Sequence, residues 1–315
     1  MEQTHHVDIS IKGRVQAAPA LTVDGRTIVL KGSWIKKAVV RDELYLPNGI
    51  VDDPAAAIAS LQQWALRPDI FEFVQRATER TPKFGYKFEW DNLAIVPISD
   101  YQTWLTTQAK RDVKENLRRA NREGVTVRSC AYDDTLIHGL KALYDETPLR
   151  QGRPFWHFGK SFDDIKRDSG HYADRSEFIA AYLGDELIGF LKMVYVGDIA
   201  KTMYVISKEK HFHRRPANAM IAKAVEVCAA KGIKYFNYGV YDYPGKKSSS
   251  LTNFKRHHGF SKFEFPRYYV ALTLKGRLYL ALGIHRGFKR WIPDRALQYL
   301  MRARSEFHRR IGRRS

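Results

Sequence analysis

FIAAYLGDELIGFLKMVYVGDIAKTMYVIS, residues 178–207, consists of three apolar runs punctuated by two Gly-Asp pairs. Phe178–Leu183, Glu186–Val196 and Ile199–Ser207 read as strands, because short β-branched and aromatic runs joined at Gly184-Asp185 and Gly197-Asp198 carry the signature of tight antiparallel turns. A helix follows. Pro216 suits its first turn, Ile221, Ala224, Val225 and Cys228 recur at i, i+3, i+4 and i+7, and Gly232 stands where a left-handed cap would end it. The strand Lys234–Gly239 comes at once after the cap, completing a strand–helix–strand crossover whose helix covers one sheet face. The expected class is α/β, an α+β arrangement on a mixed sheet.

Upstream, Lys110–Arg122 predicts a helix ended by Gly124 and followed by the strand Val125–Arg128. On it Arg111, Lys114, Arg118 and Arg122 form one basic stripe, which is either a solvated face or an anion-binding one. Further back, Leu21–Leu46 alternates in short β-like pieces, and Asp53-Pro54 opens a helix through Trp64 with Asp53 as its cap. A second helix is expected over Ile70–Arg80 and strands over Phe84–Ile98. Ser99 and Gln102 have capping-box spacing before Tyr101–Leu105. This divides the chain into an amino-terminal subdomain (1–109), a core domain (110–268) and a basic carboxy-terminal strand and amphipathic helix (269–315).

With 315 residues, 44% of them hydrophobic, the chain can bury one large core or two modest ones. Its two cysteines, Cys130 and Cys228, make neither a disulfide framework nor a metal-type spacing, so a reducing, cytoplasmic location is expected. The His pairs 5/6, 211/213 and 257/258 have no carboxylate or Cys at ligand spacing, and no metal is expected. The start lacks the apolar core of a signal peptide, and the late run Leu278–Ile284 is too short to span a bilayer. Net charge is +19, and Lys275–Ser315 alone holds 12 basic and 2 acidic residues. A partner of fixed negative charge is therefore expected to meet that end.

The order of elements, the pattern Arg118-Arg119, Arg122, Gly124-Val125, Val127 and the run Ser250-Leu251, Phe254-Lys255-Arg256, Gly259-Phe260 together resemble GNAT-type acyltransferases, in particular the Fem-type and CelD/BioF-like acetyltransferase-domain group. The resemblance implies a GNAT-like fold, with residues 1–109 as a degenerate first half of a tandem pair. It further implies an acyl donor held where two parallel strands splay, here Lys201–Ser207 and Lys234–Gly239, with the intervening helix N-terminus aimed at its phosphates. Arg214, Arg215 and Asn218 enter that helix and suit a pyrophosphate. The loop lacks the glycines of an acetyl-CoA site, however, and Pro216 has no N–H to offer. Lys255 of the Phe254-Lys255 pair is implied to lie at the donor site and to stabilise charge on the transferred carbonyl, with Phe254 packed beside it.

After the last core strand, Gly239–Ser248 contains a Gly-Lys pair, but five residues separate Gly239 from Gly245 and Lys247 occupies the Ser/Thr position, so it is not a phosphate loop. It reads instead as an active-site wall, with Tyr238 or Tyr241 as proton donor and Asp242 as an orienting or basic group. The segment from Glu146 through Arg150, Arg153, Trp156 and His157 to Lys160 mixes aromatics and cations around glycine and proline, which suits enclosure of an acceptor substrate. Three functions stay open. The first is an acyltransferase taking acyl-CoA (acetyl-CoA) as co-substrate and a small or envelope-precursor acceptor, without a metal. The second is a Fem-type transferase using charged tRNA, the one nucleic acid expected as a partner. The third is an inactive module that binds anionic membrane or nucleic acid. Peripheral contact with an anionic membrane through 275–315 is expected, from a helix after Pro293 bearing Leu297, Leu300, Met301, Phe307 and Ile311 among arginines.

Overall fold

The computed structural model describes residues 3–11, 14–45, 53–76, 79–150, 152–243 and 249–286. The expected helix after Pro293 and residues 244–248 of the active-site wall lie outside them. Among the described residues the chain forms two compact units, one from those up to Asn92 together with those from Glu264, the other from Leu93–Phe263.

In the first unit β1 (His5–Ile11), β2 (Arg14–Val23), β3 (Arg26–Lys31) and β4 (Lys37–Val40) form an antiparallel ladder. Helix α1 (Pro54–Gln63) then crosses to β5 (Ile70–Val74), which runs parallel to β4. Asp53 caps α1 as expected, accepting the Ala55 N–H at 2.8 Å. Among the described residues the helix expected over Ile70–Arg80 is not formed. Ile70, Phe71, Phe73 and Val74 are all buried, so the run has no polar face to give an amphipathic helix, and its aromatic and β-branched side chains fit a strand covered on both sides.

The chain passes into the second unit within β6 (Lys87–Pro97). Asp100, not Ser99, caps the next helical turn, accepting the Thr103 N–H at 2.8 Å, so the capping-box reading was one residue early. That turn, α2 (Tyr101–Thr103), runs into a π turn at Trp104–Gln108. Then come α3 (Arg111–Arg122), β7 (Val125–Ser129), α4 (Asp134–Tyr144), the short hairpin β8 (Leu149–Arg150) and β9 (Arg153–Pro154), and α5 (Phe162–Ser169). The meander is β10 (Ser176–Leu183), β11 (Glu186–Val196) and β12 (Ile199–Ser207), followed by α6 (Pro216–Ala230) and β13 (Tyr235–Asn237). In this unit the sheet order is β6-β13-β12-β11-β10-β7, with β12 and β13 its parallel pair. Ile179 and Ala181 face the core under α3 and α6, whereas Phe178 and Ala180 face the core under α4 and α5. The expected stripe Ile221, Ala224, Val225, Cys228 is wholly buried. Each unit thus repeats one plan, an antiparallel ladder ending in a helical crossover to a parallel strand.

Helix α7 (Ser250–His257) precedes β14 (Ser261–Ala271), which returns the chain to the first unit, antiparallel to β5, and leads into α8 (Leu274–Ala281). Among the described residues no helix is long and apolar enough to cross a membrane.

Helix α8 lies directly on backbone. A Cβ on Gly276 would stand 2.0 Å from the Asp69 carbonyl oxygen, itself the acceptor of the Leu272 N–H at 2.9 Å. Alanine's helix preference over glycine is worth only about 1 kcal/mol, and a backbone oxygen cannot rotate aside. Gly276→Ala is therefore expected to destabilise the protein by about 1–3 kcal/mol net, read as a lower urea midpoint. A stability gain would show that the close approach does not exist.

Candidate active site

The parallel pairing of β12 with β13 covers only Ile199↔Tyr235, Ala200↔Phe236 and Lys201↔Asn237. Beyond it the two strands part. The expected strand to Gly239 stops at Asn237 because its carboxamide bends the chain: Nδ2 donates to the Ala94 carbonyl at 3.0 Å, and Oδ1 accepts the Gly239 N–H at 3.2 Å. Tyr238 and Gly239 then bond to Ala94 of β6, Gly239 in the left-handed region at φ 67°. Past Thr202, β12 is paired with β11 alone, and Met203 is an extra residue opposite Lys192 and Met193. Such a bulge re-aims the strand at the opening.

Lys255 reaches this point from α7. It is fully buried, its ammonium donates to the Val240 carbonyl, and it sits 5.4 Å from the Tyr238 ring centroid and 5.1 Å from that of Tyr243. Burial pulls its pKa down to about 8, with Asp242 opposing. Burial raises the Tyr238 phenol well above its ordinary value, which keeps it protonated at neutral pH. Phe254 packs on Tyr238 at 5.9 Å and on His258 at 4.1 Å. Tyr241 is half-buried against the same core, and Asp242 pairs with Lys262 at 3.5 Å. Lys255, Tyr238, Phe254 and Asp242 are thus gathered just after the residue where the strands separate.

The loop into α6 is held by acids. Glu186 binds Lys208 and Lys210 at 2.7 Å each and His211 at 3.1 Å; these hydrogen bonds, led by that from Lys208, depress its pKa to about 2. Glu123 accepts from Arg214 through its carbonyl at 2.7 Å and its carboxylate at 3.0 Å, so Arg214 ties the loop to the end of α3. Arg215 is exposed, in the left-handed conformation at φ 60°. Asn218 is buried in the first turn of α6. The amides of Asn218 and Ala219 go to the Arg215 carbonyl, and Pro216 has none, which leaves the Ala217 N–H as the one amide of that turn without a partner among the described residues.

The acceptor segment forms a second cluster. Glu146 accepts the N–H groups of Glu209 and Lys210 at 2.7 and 3.1 Å and pairs with Arg150 at 3.2 Å. Arg150 lies 4.4 Å over Phe155. His157 packs on Tyr144 at 4.5 Å and meets Tyr204, on the reach of β12 beyond its pairing with β13, at 5.8 Å; burial lowers its pKa to about 4, so it is neutral. Arg153 and Trp156 are exposed. The acceptor cluster thus touches β12 beyond its pairing with β13.

Sequence reading missed two buried bases. Lys192 donates to the Ser169 carbonyl at 2.7 Å and to that of His171, and burial lowers its pKa to about 8. His258 has Nδ1 on the Phe254 carbonyl at 2.8 Å, with Nε2 buried and without a partner among the described residues; burial lowers its pKa to about 4. Lys192 was detectable in principle, as a lone cation amid a strand of buried apolar residues. Among the described residues no group of three or more His, Cys, Asp or Glu side chains is arranged to hold a metal ion.

A parallel pair that parts beside a helix N-terminus leaves strand backbone open to an extended ligand, and this opening defines the fold as that of GNAT-type acyltransferases. Residues 107–256 match the family described as the acetyltransferase (GNAT) domain, so the chain carries a domain of that family and is a transferase. The fold is also similar to FemX (12% identity, 89% of this chain and 90% of that one, TM-score 0.58). It is similar too to the C-terminal domain of a candidate lysylphosphatidylglycerol synthetase from Agrobacterium fabrum (14%, 84% and 87%, 0.56) and to L-PGS from Bacillus licheniformis (16%, 81% and 84%, 0.55). A search of curated proteins finds no match.

Lys255 should make stability depend on alkaline pH. Its folded pKa of about 8 lies below the ordinary 10.5, so between those values the unfolded state holds the extra proton and raising pH favours folding. Buried Cys130 and Cys228, whose pKa values are raised to about 11 and about 12, act in the opposite direction, so the Lys255 contribution is read by difference: from about pH 8 to about pH 10 the urea midpoint of the wild type is expected to rise relative to that of Lys255→Met. An equal rise in both proteins would mean that the Lys255 ammonium is not desolvated.

Proposed function

We propose that this protein moves an acyl group from an acyl-CoA-type donor directly to an amine or hydroxyl of a small or cell-envelope-related acceptor. The observation that carries the reading is the three-residue limit of the β12–β13 pairing, which leaves an edge of β12 able to bind the amide groups of a pantetheine-like arm. In this reading the acceptor attacks the thioester carbonyl, the C–S bond breaks, and the thiolate leaves. Lys255 stabilises the oxyanion, Tyr238 or Tyr241 supplies the proton to the leaving sulfur, and Asp242 is the base through which the proton lost by the acceptor nitrogen or oxygen returns to the tyrosine. Arg215 meets the donor phosphates while Arg214 holds the loop. Glu146, Arg150, Arg153, Trp156 and His157 shape the acceptor side. No metal is required. A fold relative named for lysylphosphatidylglycerol synthesis supports an envelope-related acceptor.

One observation favours a second reading. With so few free amides at the start of α6, a compact pyrophosphate cradle is incomplete, as suits a Fem-type enzyme taking its acyl group from aminoacyl-tRNA. Exposed Arg118 and Arg122 on α3 then supply phosphate contacts.

Thermal shift against acetyl-CoA, longer acyl-CoAs and charged tRNA separates the two, since a ligand that binds only the folded state raises its melting temperature. A shift with an acyl-CoA is expected; a shift with charged tRNA alone selects the second reading. With the active donor, Lys255→Met is expected to cost at least about a hundredfold in kcat. Arg215→Ala is expected to raise the donor KM without changing the melting temperature, whereas Arg214→Ala lowers that temperature as well. Near-normal turnover of Lys255→Met removes Lys255 from the chemistry.

A further inference from the structure

Helix α8 turns Gly276 and Leu280 inward and leaves Leu274, Leu278 and Leu282 at 75%, 65% and 63% exposure. These three follow at i, i+4 and i+8, so they form one apolar stripe along the helix and its C-cap. Exposed Arg277 stands on one flank of the stripe and exposed Lys275, 3.8 Å from the buried Asp69 carboxylate, on the other. Beside Lys275 lies Trp34, 64% exposed, with the ammonium 5.5 Å from its ring centroid and bonded to its carbonyl. Trp34 is held edge-on to Tyr279 at 6.2 Å, and Lys37 lies 5.4 Å from the Tyr279 ring. An apolar stripe between two cationic flanks, with an indole at its rim, is the arrangement of a helix lying in the plane of a membrane interface.

We propose that α8 and Trp34 form a docking face for an anionic lipid bilayer, the leucines entering the acyl boundary and the cations meeting headgroup phosphates. Charge argues for this occupant over a second copy of the chain. A like patch would set Lys275 and Arg277 against their own copies, whereas an anionic leaflet attracts both. In sequence, residues 287–315 follow this helix closely and add nine Lys and Arg against two acids. The proposal is independent of the acyl-transfer reading.

The test is cosedimentation of the full-length protein with vesicles of phosphatidylcholine alone or with phosphatidylglycerol, at low and high salt. Binding is expected only with phosphatidylglycerol, weaker at high salt. The triple variant L274Q/L278Q/L282Q is expected to bind at least about tenfold less, with an unchanged melting temperature because the side chains it replaces are exposed. Trp34→Gln, outside the helix, is expected to weaken binding in the same direction and serves in place of the triple variant should that misfold. The proposal is overturned if the wild type does not bind, if the folded variants bind as tightly as the wild type, or if the wild type is a dimer that the triple variant dissociates while neither binds vesicles.

Discussion

The carboxamide of Asn237 determines where the second unit opens. By giving one hydrogen bond to Ala94 and taking another from Gly239, it replaces the next rungs of a ladder with a side-chain turn and sends the chain toward β6. Parallel strands otherwise continue to pair as long as their backbones allow. Once β13 is diverted, β12 keeps an unpaired edge, the segment after Asn237 can present Tyr238 and the Val240 carbonyl to Lys255, and α7 has a wall to pack on. The side chain is buried and both of its ends are used, so the turn is fixed by hydrogen bonds that water cannot replace.

Charge in this basic protein is divided between cations that are neutralised and cations that are not. In the loop before α6, Glu186, Glu146 and Glu123 fasten Lys208, Lys210, His211 and Arg214 together with two backbone amides, so most of the loop's charge serves to hold its shape. In the first unit Arg267 is likewise shared by Glu43, Glu72 and Asp91. Lys255 and Lys192 differ in kind. Their bonded partners are carbonyl oxygens, which satisfy N–H geometry without cancelling charge, and burial lowers both pKa values to about 8. A cation in that condition still responds to negative charge developing nearby, as one bound to a carboxylate does not.

The meander and the crossover helix were legible because their signals are local. Two Gly-Asp turns, a proline at N1 and a period of 3.6 each act within a few residues, and the strands and α6 form where they point. The failures share the opposite cause. Ile70–Val74 carries apolar residues on every side, so only knowledge of what covers it separates strand from helix. The strand expected to reach Gly239 ends early through a contact with Ala94, 143 positions away in sequence. For the candidate site, the Lys255 ammonium lies 5.4 Å from the Tyr238 ring centroid, a meeting of two residues that the sequence named separately. The use of Arg214 as a tether to Glu123 and the burial of Lys192 and His258 depend on tertiary partners that no spacing encodes.

Among the described residues the second unit is one unbroken stretch of chain set, in sequence, between two pieces of the first, and this fixes an order of assembly during synthesis. When β13 leaves the ribosome, β6 has long been made, so the second sheet can close at once. The edge of β5 instead waits for β14, which begins at Ser261, an interval of roughly 10–40 s at about 5–20 residues per second. Over that time the amino-terminal strands present an unpaired edge. Of the two units, the one begun first is the one completed last, and chaperone demand should concentrate on its strands up to Val74.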